Sequence, residues 1–205
     1  MKNLIKLIFL LVTVVVSQKR PISTYSIVAY DETTGELGVA VQSHWFSVGS
    51  IVPWAKAGIG AVATQSFAKV EYGPDGLRLI EEGLTAGQAL EKLVAADQGR
   101  AVRQVGMVDS KGNTAVHTGE KCIEFAGHKT GKNYTVQANL MERPTVWHMM
   151  SLAFETAEGD LADRMMSALE AAEEEGGDLR GRQSASMLIV AGEPTGVPWK
   201  DIVLD

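Results

Sequence analysis

The order of hydrophobic patterns along the chain predicts an α+β domain built on antiparallel sheets. Short runs of β-branched and aromatic residues alternate with Gly, Asn and Asp turns, the pattern of antiparallel strands. Two pairs of helical patterns interrupt them, so the element order is strands, two helices, strands, two helices, strand. No repeat, low-complexity stretch or linker divides the 205 residues, a length that one core can serve. With 45% hydrophobic and 21% charged residues, the composition sets aside disorder, collagen-like repeats and coiled coil.

Residues 1–17 read separately. Lys2 and Lys6 open a basic segment, Leu7 to Val16 is apolar apart from Thr13, and Ser17 follows with Val15 two positions before it. That is the pattern of a secretory signal peptide cut after Ser17, so the mature chain is expected to start at Gln18 in a periplasmic or extracellular compartment. The apolar run is shorter than the roughly 20 residues that span a bilayer. No cysteine at the boundary could take a lipid, and no stable membrane anchor is expected.

The remaining elements follow in order. Tyr25 to Tyr30 and Leu37 to Gln42 read as a hairpin around the turn Asp31 to Glu36, which contains Gly35. After a loop from Ser43 to Pro53, Ile59 to Gln65 is a small-residue strand, suited to tight sheet packing or to the close approach of a ligand. Pro74 and Asp75 open a helix that Gly83 ends. Thr85 with Gln88 forms the capping box of a second helix, whose Ala86, Ala89, Leu90, Leu93 and Val94 make a core-facing stripe.

Four short strands come next, at Gln104 to Val108, Thr114 to Thr118, Cys122 to Ala126 and Tyr134 to Ala138, with a turn at Asp109 to Asn113. Pro144 starts a third helix. Leu161 to Glu174 is the fourth, with Leu161, Met165, Ala168, Leu169 and Ala172 on one side and Glu173 to Glu175 as a solvated end. Ser186 to Ala191 closes the domain as a buried strand.

Nineteen basic residues against 25 acidic ones give a net charge of -6, with no basic stripe to neutralise phosphates, so no nucleic-acid partner is expected. An acidic surface slightly favours a cationic or neutral substrate. The lone Cys122 cannot close an internal disulfide, and no paired Cys/His spacing holds a zinc; on its strand it reads as a buried, inert thiol. The nucleophile elbow, the His-Glu-x-x-His helix, the P-loop and the dinucleotide fingerprint are all absent, so neither a metal nor a cofactor is expected. Of the four histidines, His148 reads as an ordinary residue of the third helix. His44, in the loop after the second strand beside Ser43 and Trp45, is kept as a substrate-binding candidate, with a loop histidine of no role as the alternative.

Several segments in fixed order carry a resemblance: TYSIVAYDETTGELGVAVQS from Thr24, VGSIVPWAKAGIGAVATQS from Val48, YGPDGLRLI from Tyr72, RQVGMVD from Arg103 and GGDLRGRQSASMLIV from Gly176. Over nearly the whole mature chain the sequence resembles the domain of unknown function 1028 family, placed among the N-terminal nucleophile hydrolase-like proteins. The resemblance implies a four-layer αββα sandwich, two antiparallel sheets packed face to face between helices. It also implies a domain from residue 24 to 205 preceded by a short leader, 18–23, and a chain that continues past Asp205, so the domain is expected to be truncated at its C-terminal end. Homodimers are a further implication, and sandwich edges left open agree with it.

For chemistry, the superfamily hydrolyses amide bonds with an N-terminal Thr, Ser or Cys. The hydroxyl of such a Thr sits beside its own α-amine, whose pKa of about 7.7 to 8.0 lets it act as general base. Thr24 matches the nucleophile position, with Ser23 as the fallback, and Lys56 matches a lysine that tunes the threonine or else is a solvated lysine. Gln65, Asn139 and Ser43 are candidate donors to an oxyanion, each with a structural alternative as a turn cap or edge group. Arg182 matches a family position where it would clamp a substrate carboxylate or brace the fold against an acidic residue. The leader would have to be removed between Ser23 and Thr24, by attack of the nucleophile on that bond. The expected protein is therefore an exported amidohydrolase or peptidase-like enzyme acting on a small amide or peptide. The alternative is a non-catalytic binding or assembly module on the same fold.

Overall fold

The computed structural model describes residues 24–205. The expected signal peptide (1–17) and the expected leader (18–23), Ser23 included, lie outside the described residues. Ten strands and four helices form four layers: β1 (Thr24–Tyr30), β2 (Leu37–Ser43), β3 (Pro53–Lys56), β4 (Gly60–Ser66), α1 (Tyr72–Glu81), α2 (Ala86–Ala96), β5 (Arg103–Asp109), β6 (Thr114–Thr118), β7 (Gly127–Gly131), β8 (Tyr134–Asn139), α3 (Val146–Thr156), α4 (Leu161–Glu174), β9 (Ser184–Val190) and β10 (Ile202–Leu204). One antiparallel sheet has the order β10-β9-β2-β1-β8-β7 and the other β3-β4-β5-β6. The αββα sandwich expected from the resemblance is the architecture observed.

Period-two alternation explains the layers. In β1, Tyr25, Ile27 and Ala29 pack with Tyr134, Val136, Met150, Phe154, Leu161 and Met165 under α3 and α4. Between them, Val28 joins Leu37, Val39, Val41, Ala61, Ala63 and Val108 between the sheets. On the far side, Val62, Val105 and Met107 meet Leu77, Ile80, Ala89 and Leu90 of α1 and α2. The small residues of β4 bring the two backbones close. At Gly106 a Cβ would collide with the Gln137 amide, so glycine there admits a polar side chain between the sheets.

Helix ends follow the sequence signals. Thr85 Oγ1 accepts from the Gln88 backbone N-H at 3.3 Å and Gln88 Oε1 accepts from Thr85 N-H at 2.9 Å, the expected capping box. Asp109 adds a cap from the facing sheet, its Oδ2 accepting from Ala86 N-H at 3.0 Å. Gly83, at φ 101°, ends the turn after α1.

Three expectations change. Cys122 to Ala126 is not a strand: its first residues turn, with Cys122 N-H bonded to Gly119 O at 3.0 Å, and the paired segment is Gly127–Gly131. Two further strands appear, Pro53–Lys56 and the edge strand Ile202–Leu204. The first of these pairs with β4, and its Trp54 lies over Gly73 of α1, where only a glycine leaves room for the indole. Among the described residues no helix is long and apolar enough to cross a membrane.

Candidate active site

The space between the sheets is divided. Its far half is apolar; the half where β1 begins and β2, β4 and β8 end is lined by buried polar side chains. Thr24, at the first position of β1, stands in register with Ser43 on β2 and Asn139 on β8. Its Oγ1 donates to Ser43 Oγ at 3.1 Å, and neither residue has exposed surface. The carbonyl of Thr24 accepts from Gln65 Nε2 at 3.2 Å and from Asn139 Nδ2 at 3.4 Å.

Behind Thr24 the amides interlock across the two sheets. Gln104 Oε1 accepts from Gln65 Nε2 at 2.7 Å and from Asn139 Nδ2 at 3.0 Å. Gln104 Nε2 is directed at the carbonyls of Ala138 and Gly127, 2.9 and 3.1 Å away, which can only accept, so the orientation of this amide is fixed. Ser26 Oγ donates to Gln65 Oε1 and accepts from Gln137 Nε2, each at 2.6 Å. A buried network satisfied to this degree is rigid and holds one geometry.

Backbone strain marks the same end of the sandwich. Ser66, at the end of β4, has φ 68°, and Leu140, just after β8, has φ 58°. Such left-handed conformations in non-glycine residues cost on the order of 1–3 kcal/mol and persist where the surroundings impose them. Here Leu140 N-H is tied to Ile123 O at 3.1 Å and Phe67 N-H to Val102 O at 3.3 Å. Arg103, opposite Ser66 in the ladder, pairs with the buried Asp97 at 2.9 Å and bonds Phe67 O. Burial alone would raise the Asp97 carboxyl; the Arg103 guanidinium and the Gly99 N-H outweigh it and hold the acid below its usual range. Cys122, half-buried beside this pair, donates to Arg103 O at 3.3 Å, and burial pushes its thiol up.

Of the residues singled out in the sequence, the fold brings Thr24, Ser43, Gln65 and Asn139 together. Lys56 is not among them. It pairs with Gly60 at the opposite end of β4 from Ser66, about 20 Å away at ~3.3 Å per residue, and its Nζ is bonded to Glu81 of α1 at 2.6 Å. His44 and Arg182 lie outside the inter-sheet space as well. His44 donates its backbone N-H to Asp178 Oδ2 at 3.0 Å, and its ring Nδ1 lies 3.1 Å from Gly181 O. Arg182 Nε is 3.2 Å from Glu173 Oε1, away from the polar cluster. Gln65 and Asn139 direct their amides at the carbonyl of Thr24 itself, which makes them positioning groups for the strand end.

The family model described as a family of unknown function (DUF1028) matches residues 24–205, starting at Thr24. The chain belongs to this family. A crystal structure of a DUF1028 protein from Silicibacter pomeroyi is 29% identical, with TM-score 0.77 over 82% of this chain and 74% of that one. Two other solved structures share 12% identity: BPH of Thiobacillus denitrificans in complex with epoxomicin, TM-score 0.43 over 84% of this chain and all of that one, and Anbu (ancestral beta-subunit) from Yersinia bercovieri, TM-score 0.33 over 81% and 79%. No curated protein matches the chain.

Sequence reading missed Ser26, Gln104 and Gln137 of this polar cluster. A signal was present. In RQVGMVD the glutamine shares its parity with Gly106 and Val108, small and apolar, and a polar residue there must find partners across the core; in TVQAN Gln137 shares its parity with Thr135 and Asn139, a polar face of the strand. Among the described residues no group of three or more His, Cys, Asp or Glu stands together as metal ligands would.

Proposed function

We propose that this DUF1028 protein is an exported hydrolase of the N-terminal nucleophile type that cleaves a small amide or peptide, with Thr24 as nucleophile. The observation that carries the reading is the setting of Thr24. It is the first residue of a central strand, its hydroxyl held by Ser43, its carbonyl held by two amides, at the polar end of the inter-sheet space.

The chemistry begins with the leader. The Thr24 hydroxyl attacks the Ser23 carbonyl, the Ser23–Thr24 peptide bond breaks as its nitrogen takes a proton, and an ester joins Ser23 to Thr24 Oγ1. Water hydrolyses that ester, leaving a carboxyl group on Ser23 and a free α-amine on Thr24. The amine, with a pKa of about 7.7 to 8.0 when unperturbed, is then the general base. It takes the hydroxyl proton as Oγ1 attacks a substrate carbonyl and returns it to the leaving amine, and water releases the acyl group. Ser43 orients the hydroxyl, and Gln65 and Asn139 fix the strand end from which it projects. Lys56, bonded to Glu81 at the other end of β4, has no part in this.

The satisfaction of the polar network supports a second reading, a binding or assembly module in which these amides serve only to lock the two sheets. Intact mass and N-terminal sequencing of the protein recovered from its exported compartment separate the two. A start at Thr24 that is lost in Thr24→Ala is expected for the hydrolase. A start at Gln18 in the wild-type protein overturns it and leaves the module.

A further inference from the structure

The outer face of the six-stranded sheet carries a second polar centre, which the inter-sheet network does not use. Gln42 of β2 pairs with Tyr25 of β1 and with Ala185 of β9, and it lies with Leu169 and Glu173 of α4 along one open cleft. It is only 6% exposed. Yet neither Oε1 nor Nε2 of Gln42 has a hydrogen-bond partner among the described residues. The three buried glutamines between the sheets, in contrast, bond through both ends of their amides. An amide left buried without a partner destabilises a fold, and a ligand that pairs with it recovers that loss.

The cleft has the dimensions and lining of a ligand site. Its volume is about 650 Å³, within the range of pockets for small molecules. Met166, Leu169 and Met187 supply apolar walls. Tyr25 O-H donates to Glu173 Oε2 at 2.8 Å and Arg182 Nε meets Glu173 Oε1 at 3.2 Å, so one wall is a bonded chain of three side chains with its charges matched. Glu170 and Glu174 add negative charge at the same lining.

We propose that this cleft binds a small molecule that presents a planar carboxamide edge to Gln42, an apolar body to Leu169 and Met187, and a neutral or cationic group toward Glu170 and Glu174. A carboxamide offers one donor and one acceptor side by side, the complement of the Gln42 amide. An anion is disfavoured by the two glutamates. The site is separate from the polar end of the inter-sheet space. Tyr25 and Thr24 are successive residues of one strand and face opposite sides of the sheet, so this inference stands whether or not Thr24 is a nucleophile.

Ligand-detected NMR on the full chain with three probes tests it: L-leucinamide, isopentylamine, which lacks the carboxamide, and L-leucine, which carries a carboxylate in its place. Saturable binding of leucinamide is expected, at least tenfold tighter than either of the others. Gln42→Leu is expected to lose leucinamide binding while unfolding at a higher temperature than wild type, because the orphaned amide is gone. Ala185→Phe, at an exposed position of the cleft, is expected to block binding by filling it, and serves if Gln42→Leu does not fold. The proposal is overturned if no probe binds the wild-type protein, water alone then meeting the needs of Gln42. It is equally overturned if leucine binds as tightly as leucinamide, or if either variant binds leucinamide like wild type.

Discussion

Thr24 Oγ1 and Ser43 Oγ are 3.1 Å apart, on two neighbouring strands paired in register, in a region without exposed surface. The bond fixes the rotamer of the Thr24 hydroxyl. Ser43→Ala should therefore slow leader removal on the order of 10²-fold, the usual penalty for a misplaced reacting group, and cost about 1 kcal/mol of stability for one buried hydrogen bond. Mass spectrometry of the chain over time and urea denaturation measure the two effects. A processing rate equal to wild type would remove Ser43 from the mechanism.

The hydroxyl of Thr24 is the group the proposed reaction needs, more than its methyl. Thr24→Ser should still yield a chain starting at residue 24, whereas Thr24→Ala should retain the leader in full. N-terminal sequencing distinguishes them. Equal processing in both variants would assign the cut to an outside protease.

Gln65 and Lys56 were both site candidates by sequence, and their environments predict opposite costs. Gln65 is fully buried and bonds Thr24, Ser26, Gln104 and Gln137. Gln65→Ala removes all four of these buried hydrogen bonds and should cost roughly 3 kcal/mol or more, at about 1 kcal/mol for each. Lys56 and Glu81 are each about half exposed, at 49% and 48%, so Lys56→Ala should cost less than about 1 kcal/mol and leave processing unchanged. Comparable losses in the two variants would contradict the assignment.

The pairing of Asp97 with Arg103 gives the fold an acid limit. The folded carboxyl ionises below its ordinary value of 3.8. Its contribution to stability is thus complete above that pH and is lost as pH falls through the folded value. Asp97→Asn should be less stable than wild type at neutral pH and should lose less on acidification below pH 3.8. Thermal unfolding across pH 2 to 7 measures this, and parallel curves for the two proteins would refute it.

The parts of the fold announced by local chemistry were legible in the sequence. Thr85 and Gln88 mark the start of α2, and the stripe from Leu161 to Ala172 marks α4, because caps and helical periodicity act within one turn. The apolar CIEFA segment misled, since its backbone turns and the strand beyond it, GHKTG, is an edge strand without an apolar pattern. The site was legible in part for the same reason. Thr24 stands at the position that the resemblance aligned, and Ser43, Gln65 and Asn139 are polar residues at or near strand ends that oxyanion chemistry singled out. The place of Lys56 depends on which end of β4 its hairpin meets, and the roles of Gln104 and Gln137 depend on partners in the opposite sheet. Both are long-range relations that no local pattern encodes.

The alternation within β1 makes parity a chemical variable. Odd positions from Tyr25 feed the helical layer and the Gln42 cleft; even positions from Thr24 feed the inter-sheet layer. Deleting one residue inside the strand would reverse every assignment on one side of the deletion. A phenol would enter the amide network, and the threonine hydroxyl would face methionines. The two polar centres of this domain are therefore locked in phase by seven residues of backbone, and neither can be re-registered without dismantling the other.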